Sequence, residues 1–146
     1  MKKYDEYQKL MRYKYGFHSF NLLIALLGLN VLLDIFFEVQ WGETKNTEIL
    51  VFIVISAIFF NVTSVYHNAY FHKDEDVKTQ LWSLAIVGGL SLFVSSLTLF
   101  YNPESILTNG RVNYNFLQLL VGVLFIATPC TSFIRDKIDK RKENIQ

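Results

Sequence analysis

Apolar residues in this chain neither alternate nor trace one helical stripe. They form four long blocks, about residues 17–39, 49–71, 81–101 and 116–134, separated by short polar connections. Each block is close to the roughly 20 residues that an α-helix needs to cross a hydrocarbon core of about 30 Å. Stretches such as VFIVISAIFF (Val51 to Phe60) and LLVGVLFIA (Leu119 to Ala127) are apolar all round, whereas a helix of a water-soluble bundle keeps a polar face. The pattern predicts an all-α integral membrane protein with four transmembrane helices. They form one domain over residues 1–146, with a basic N-terminal segment 1–16 and a C-terminal tail 135–146.

Composition points the same way: 51% of the 146 residues are hydrophobic and 18% charged, where soluble domains carry roughly 25% charged residues. A net charge of +1 offers no field for DNA or RNA, so nucleic acid is not expected as a partner. The distribution of Lys and Arg says more than their sum. Five precede the first block, one (Lys45) lies in the first connection, two (Lys73, Lys78) in the second, one (Arg111) in the third, and five follow the fourth block. By the positive-inside rule both termini and the middle connection are cytoplasmic, an N-in/C-in arrangement. The basic start runs into a long apolar block with no small-residue cleavage site, so the first block reads as a retained span rather than a signal peptide.

The segment KKYDEYQKLMRYKYGF (Lys2 to Phe17) interleaves tyrosines with basic residues and suits a short helix or elbow at headgroup level. The tail from Arg135 to Gln146 continues the fourth helix into the cytoplasm, its charges drawn to anionic lipid. In the longest outer connection, Pro103 stops the third helix and Asn109-Gly110 makes a turn.

Small and polar residues mark where helices meet in lipid, because the hydrophobic effect does not draw them together there. On the third helix Ala85, Gly88, Ser91 and Ser95 form one small-residue stripe, expected to pack on a neighbour. On the second, Ala57, Asn61, Ser64 and Asn68 form the most polar face, with His67 and His72 near its cytoplasmic end. Asn61 lies roughly 18 Å below Ile49 at 1.5 Å per residue, so its amide needs a partner, and the Asn61-Val62-Thr63 sequon lies too deep for glycosylation. His67 and His72, about 140° apart on a helix, do not make the adjacent pair of a helical metal site, and no metal site is expected even with the acidic run Asp74-Glu75-Asp76 nearby.

Within GLNVLLDIFFEVQW (Gly28 to Trp41), Asn30, Asp34 and Glu38 recur every four residues. Counted from Phe17, Asn30 lies about 20 Å across the core, Asp34 about 25 Å, and Glu38 beyond it. Asp34 is therefore expected at the outer interface, with Lys45 or Arg111 as partner, and Glu38 and Trp41 as interface markers. Pro129 is expected to kink the fourth helix or free a carbonyl near its inner end. The single cysteine, Cys130, excludes an internal disulfide and has no base in a readable relation to it. No triad, phosphate loop or carboxylate pair is present, and neither an enzyme nor a cofactor is expected.

DEYQKLMRYKYG (Asp5 to Gly16), Asn30, Trp41 and HNAYF (His67 to Phe71) together resemble a loosely defined group of small, uncharacterised four-helix membrane proteins of Gram-positive bacteria. Its opening commonly reads Asp-Glu-Arg-Gln, and Tyr7 stands here at the Arg position. The resemblance covers the first half of the chain and implies a bacterial cytoplasmic (inner) membrane and no residue-level function. Two functions remain open. One is a non-catalytic interaction, accessory or immunity-type module that self-associates or binds another membrane protein. The other is an oligomeric transporter or channel for a proton, cation or small molecule, using Asn30, Asp34 and the Asn61, Ser64, His67 and Asn68 face.

Overall fold

A computed structural model describes residues 4–71 and 76–143. The described residues are all-helical but for one small hairpin and the connections. Its four helices are α1 (Glu6–Phe37), α2 (Lys45–Tyr66), α3 (Val77–Tyr101) and α4 (Tyr114–Glu143). Each is long and apolar enough to span a membrane.

The helix ends follow local chemistry. Asp5 caps α1 in a reciprocal box: its carboxylate accepts from Tyr7 N–H at 3.0 Å, and its own N–H donates to Gln8 Oε1 at 3.2 Å. The tyrosine-rich opening is thus not a separate elbow; it is the first part of a single 32-residue helix. Glu38, at φ 51°, ends that helix in the left-handed region. Thr44 caps α2 and accepts from Thr47 N–H. The second helix therefore starts four residues before the apolar block, which brings Thr47 and Glu48 into its first turns.

The same helix stops at Tyr66, whereas the hydrophobic block runs on to Phe71. Asn68 takes φ 57°, Ala69 N–H donates to Ser64 O at 2.8 Å and Asn68 N–H to Val65 O at 3.1 Å. This is the Schellman arrangement, and it places HNAYF in a turn rather than on a helix. The stripe Ala57, Asn61, Ser64, Asn68 is accordingly cut short after Ser64.

Among the described residues, contacts between the four helices run in the order α1, α2, α4, α3, and no other pair of these helices makes more than marginal contact. The four helices form an open row instead of a closed square. Adjacent α1 and α2 are antiparallel, as are α3 and α4, while α2 and α4 run side by side in one direction. The start of α1, the closing turn of α2, the start of α3 and the end of α4 share one end, the terminal end. The opposite, loop end carries the hairpin of β1 (Leu107–Thr108) and β2 (Arg111–Val112). Asn109 (φ 53°) and Gly110 (φ 75°) make its two-residue turn, both in the left-handed region that such a turn requires. Val112 is tied to the first connection: its N–H donates to Trp41 O at 2.8 Å and its carbonyl accepts from Glu43 N–H at 2.8 Å.

Burial is inverted relative to a water-soluble protein. Among the described residues the buried side chains are mostly polar, including Asn30, Thr47, Glu48, Ser64, Thr128 and Ser132, while Phe17, Phe36, Trp82, Phe93 and Phe100 are exposed. Such an apolar surface is a liability in water and the ordinary state in lipid, where packing and polar contacts hold helices together. The α3–α4 contact shows the packing part. A Cβ on Gly88 would lie 2.9 Å from Ile126 N, and one on Gly122 would lie 2.8 Å from Leu92 Cδ2, so both glycines permit close backbone approach. Ser91 donates to Gln118 O at 3.3 Å, Ser95 is buried, and Ala85 lines one groove with Pro129 and Ser132 of α4, so the small-residue stripe lies on the α4 side of α3.

Candidate functional site

Polar side chains gather in two clusters, one at each end of the row. At the loop end, the first turns of α2 meet the last turns of α1. Glu48 is fully buried, and both its oxygens are used: Oε1 accepts from Gly42 N–H at 2.9 Å and Oε2 from Asn30 Nδ2 at 2.7 Å. Trp41 Nε1 donates to Asn30 Oδ1 at 2.7 Å, which fixes the direction of the Asn30 amide. A carboxylate in the first turns of a helix also faces the positive end of the helix dipole. The partners of Glu48 are neutral donors. A Cβ on Gly42 would lie 2.6 Å from Glu48 Cγ, so the backbone needs glycine there to come this close.

Asp34, one turn beyond Asn30, pairs with Lys45 at 2.5 Å and not with Arg111. Both partners are about half exposed (49% and 47%), so the pair contributes little to stability. Asn30, Asp34 and Glu38 thus share a spacing but not a role: one is locked in a buried network, one sits in a surface ion pair, and one ends the helix.

The terminal end joins the two motifs that stand farthest apart in the first half of the chain. Gln8, whose Oε1 serves the cap of α1, donates through Nε2 to Asn68 O at 2.9 Å and to Phe71 O at 3.1 Å. The Tyr15 hydroxyl lies 2.6 Å from His67 Nε2. From α4, Arg135 Nη1 donates to Val65 O at 2.9 Å and to Asn68 Oδ1, while its Nη2 pairs with Asp136 at 2.8 Å. One of the last carbonyls of α2, that of Val65, thereby gains a second donor from α4 in addition to Asn68 N–H. Near the start of α3, Thr79 donates through its hydroxyl and N–H to Asp76, and these bonds hold the Asp76 carboxyl below the usual carboxylate range.

The residues of the second-helix face do not act together. Asn61 is half-buried and has no hydrogen-bond partner among the described residues, contrary to the need inferred from its depth. Ser64 is fully buried with its hydroxyl unpartnered. Asn61 lies about 20 Å along α2 from Glu48, so it shares no site with Asn30 and Asp34. His67 and Asn68 belong to the terminal-end turn. His72, with Asp74 and Glu75, lies outside the described residues. No group of three potential metal ligands occurs among the described residues.

Sequence reasoning missed the most buried charged side chain. Glu48 follows Lys45 and Glu43 in a polar run and reads as part of a connection, although Thr44 three residues before Thr47 is a helix-start signal that could have placed it. Arg135 reads as one of five basic residues in the tail, and nothing in its local sequence marks it as the partner of a turn 70 residues earlier. Comparison of the chain with family models, with curated proteins and with solved structures finds no match.

Proposed function

We propose that this protein is a multi-pass protein of the bacterial cytoplasmic membrane, both termini inside, that works as a non-catalytic interaction module by self-association or by binding another membrane protein. The observation that carries this reading is the open row. Helices α1 and α3 each pack on a single neighbouring helix, so their long faces have no partner among the described residues. Gly28 of α1 and Gly89 of α3 have nothing within 4 Å of the position a Cβ would take, leaving room for another helix to approach. Purification in mild detergent is expected to yield a defined homo-oligomer or a stoichiometric membrane partner. A monodisperse monomer that brings nothing with it overturns the reading.

The transport reading has less support, because Asn30 and Asp34 are each committed to partners in the same chain and are remote from Asn61. Asp34→Asn is accordingly expected to leave cation and proton flux into proteoliposomes at the background level of empty vesicles, like the wild type. Flux in the wild type that is lost in a folded Asp34→Asn variant would restore the transporter. The orientation is checked by introducing single cysteines at Lys45 and Lys140 in a Cys130→Ser background. An impermeant thiol reagent should label the first from outside and spare the second.

A further inference from the structure

At the terminal end two helices run on past what a bilayer core requires. With 32 and 30 residues, α1 and α4 are about 48 and 45 Å long, against a core of about 30 Å. The start of α1, the closing turn of α2 and the extension of α4 enclose a cleft of about 330 Å³, at the lower end of the range of small-ligand sites. Its wall on α4 carries Arg135 and Lys142, seven residues apart and so on one face of the helix, and opposite stand Tyr7, Tyr66 and His67.

The chemistry of this cleft suits a phosphate. Arg135 is held rigidly by Val65 O, Asn68 and Asp136, bonds that use four of its five N–H groups and leave one. Lys142 is exposed and carries its ammonium on a long aliphatic stem, and Tyr7 and Tyr66 line the cleft beside it. Among the described residues Asp139 is the single carboxylate in the lining. The adjoining face of the same stretch carries an apolar groove: Ile138 also borders a groove of about 300 Å³ formed with Phe133 and Ile134 and flanked by Lys137 and Arg141. From Ile138 through Ile134 to Phe133 that groove runs toward the spanning part of α4. The polar cleft and the apolar groove thus adjoin at Ile138.

We propose that this cleft binds the headgroup phosphate of an anionic glycerophospholipid, with Lys142 and the remaining Arg135 donor on the phosphate and an acyl chain along Ile138, Ile134 and Phe133. This goes beyond the general attraction of a basic tail to an anionic surface, and it holds whether or not the protein self-associates. The test uses the full chain in zwitterionic detergent, with retained lipid counted by native mass spectrometry after titration with phosphatidylglycerol or phosphatidylcholine. One phosphatidylglycerol is expected to remain bound, in preference to phosphatidylcholine. Lys142→Gln is expected to weaken it about fivefold, while Lys140→Gln, which removes the same charge outside the cleft, leaves it unchanged. Equal weakening by the two variants marks diffuse attraction and overturns the site, as does an absence of preference between the lipids. A thermal shift with inorganic phosphate alone that matches the shift with phosphatidylglycerol overturns the assignment to lipid.

Discussion

The Asn30 amide donates to the Glu48 carboxylate at 2.7 Å while accepting from the Trp41 indole at 2.7 Å, so one side chain of α1 fastens both the first turns of α2 and the connection between them. Replacing Asn30 with Leu leaves Glu48 Oε2 and the Trp41 N–H unpaired. The expected loss is about 2–4 kcal/mol, the sum of two orphaned groups. Glu48→Gln keeps the shape but turns one acceptor into a donor facing a donor, and the expected loss is about 1–2 kcal/mol. Unfolding by sodium dodecyl sulfate from dodecylmaltoside micelles measures both, with Trp41 emission as a local probe. A wild-type midpoint for Asn30→Leu would mean that water replaces the amide.

Adjacent glycines of α3 separate packing from propensity. Gly88→Ala places a methyl 2.9 Å from Ile126 N and 2.8 Å from Ile126 Cγ1, and the helices must part to accept it. The expected cost is about 1–3 kcal/mol. Gly89→Ala meets nothing within 4 Å, so the helix-propensity gain of up to about 1 kcal/mol is expected to appear undiminished in the monomer. Thermal unfolding of the two variants should therefore shift in opposite directions; equal shifts would contradict the close α3–α4 approach.

Asn68 serves the turn through its backbone and α4 through its side chain. Asn68→Ala forces a Cβ-bearing residue without the asparagine preference into φ 57° and removes the acceptor for Arg135. Asn68→Gly restores the backbone and still lacks the acceptor. Both variants should be less stable than the wild type, with Ala worse than Gly by about 1 kcal/mol. If the two prove equally stable, the left-handed turn is not what ends α2.

Folding lowers the pKa of Asp76 through its bonds from Thr79, so the folded state favours the carboxylate. The stabilisation is complete at neutral pH and is lost as pH falls through the lowered folded-state value. Thr79→Val removes the hydroxyl donor, the largest cause of the shift. Amide exchange in the first turn of α3 is expected to become faster in this variant at pH 7 and to converge on the wild type as the pH falls far enough to protonate Asp76 in the folded state, after correction for intrinsic rates. A difference that persists unchanged through the acid range would assign the effect to packing.

The number of long apolar helices is legible in the sequence because suitability for lipid is a property of a stretch of about 20 residues and needs no partner. The turn at Asn109-Gly110 and the small face of α3 are legible for related reasons, since each is set by residues close together in the chain. Tertiary structure decided the rest. Asn30 and Glu48 are 18 residues apart and Val65 and Arg135 are 70 apart, and no local pattern records which polar group meets which. Periodicity identified Asn30, Asp34 and Glu38 as one stripe, yet their roles diverge because Trp41 and Glu48, Lys45 and a helix end stand opposite them in turn. The open row is likewise invisible to hydropathy: lipid covers an unpartnered apolar face as readily as another helix does, so the choice between them rests on the shapes and donors that folding brings together.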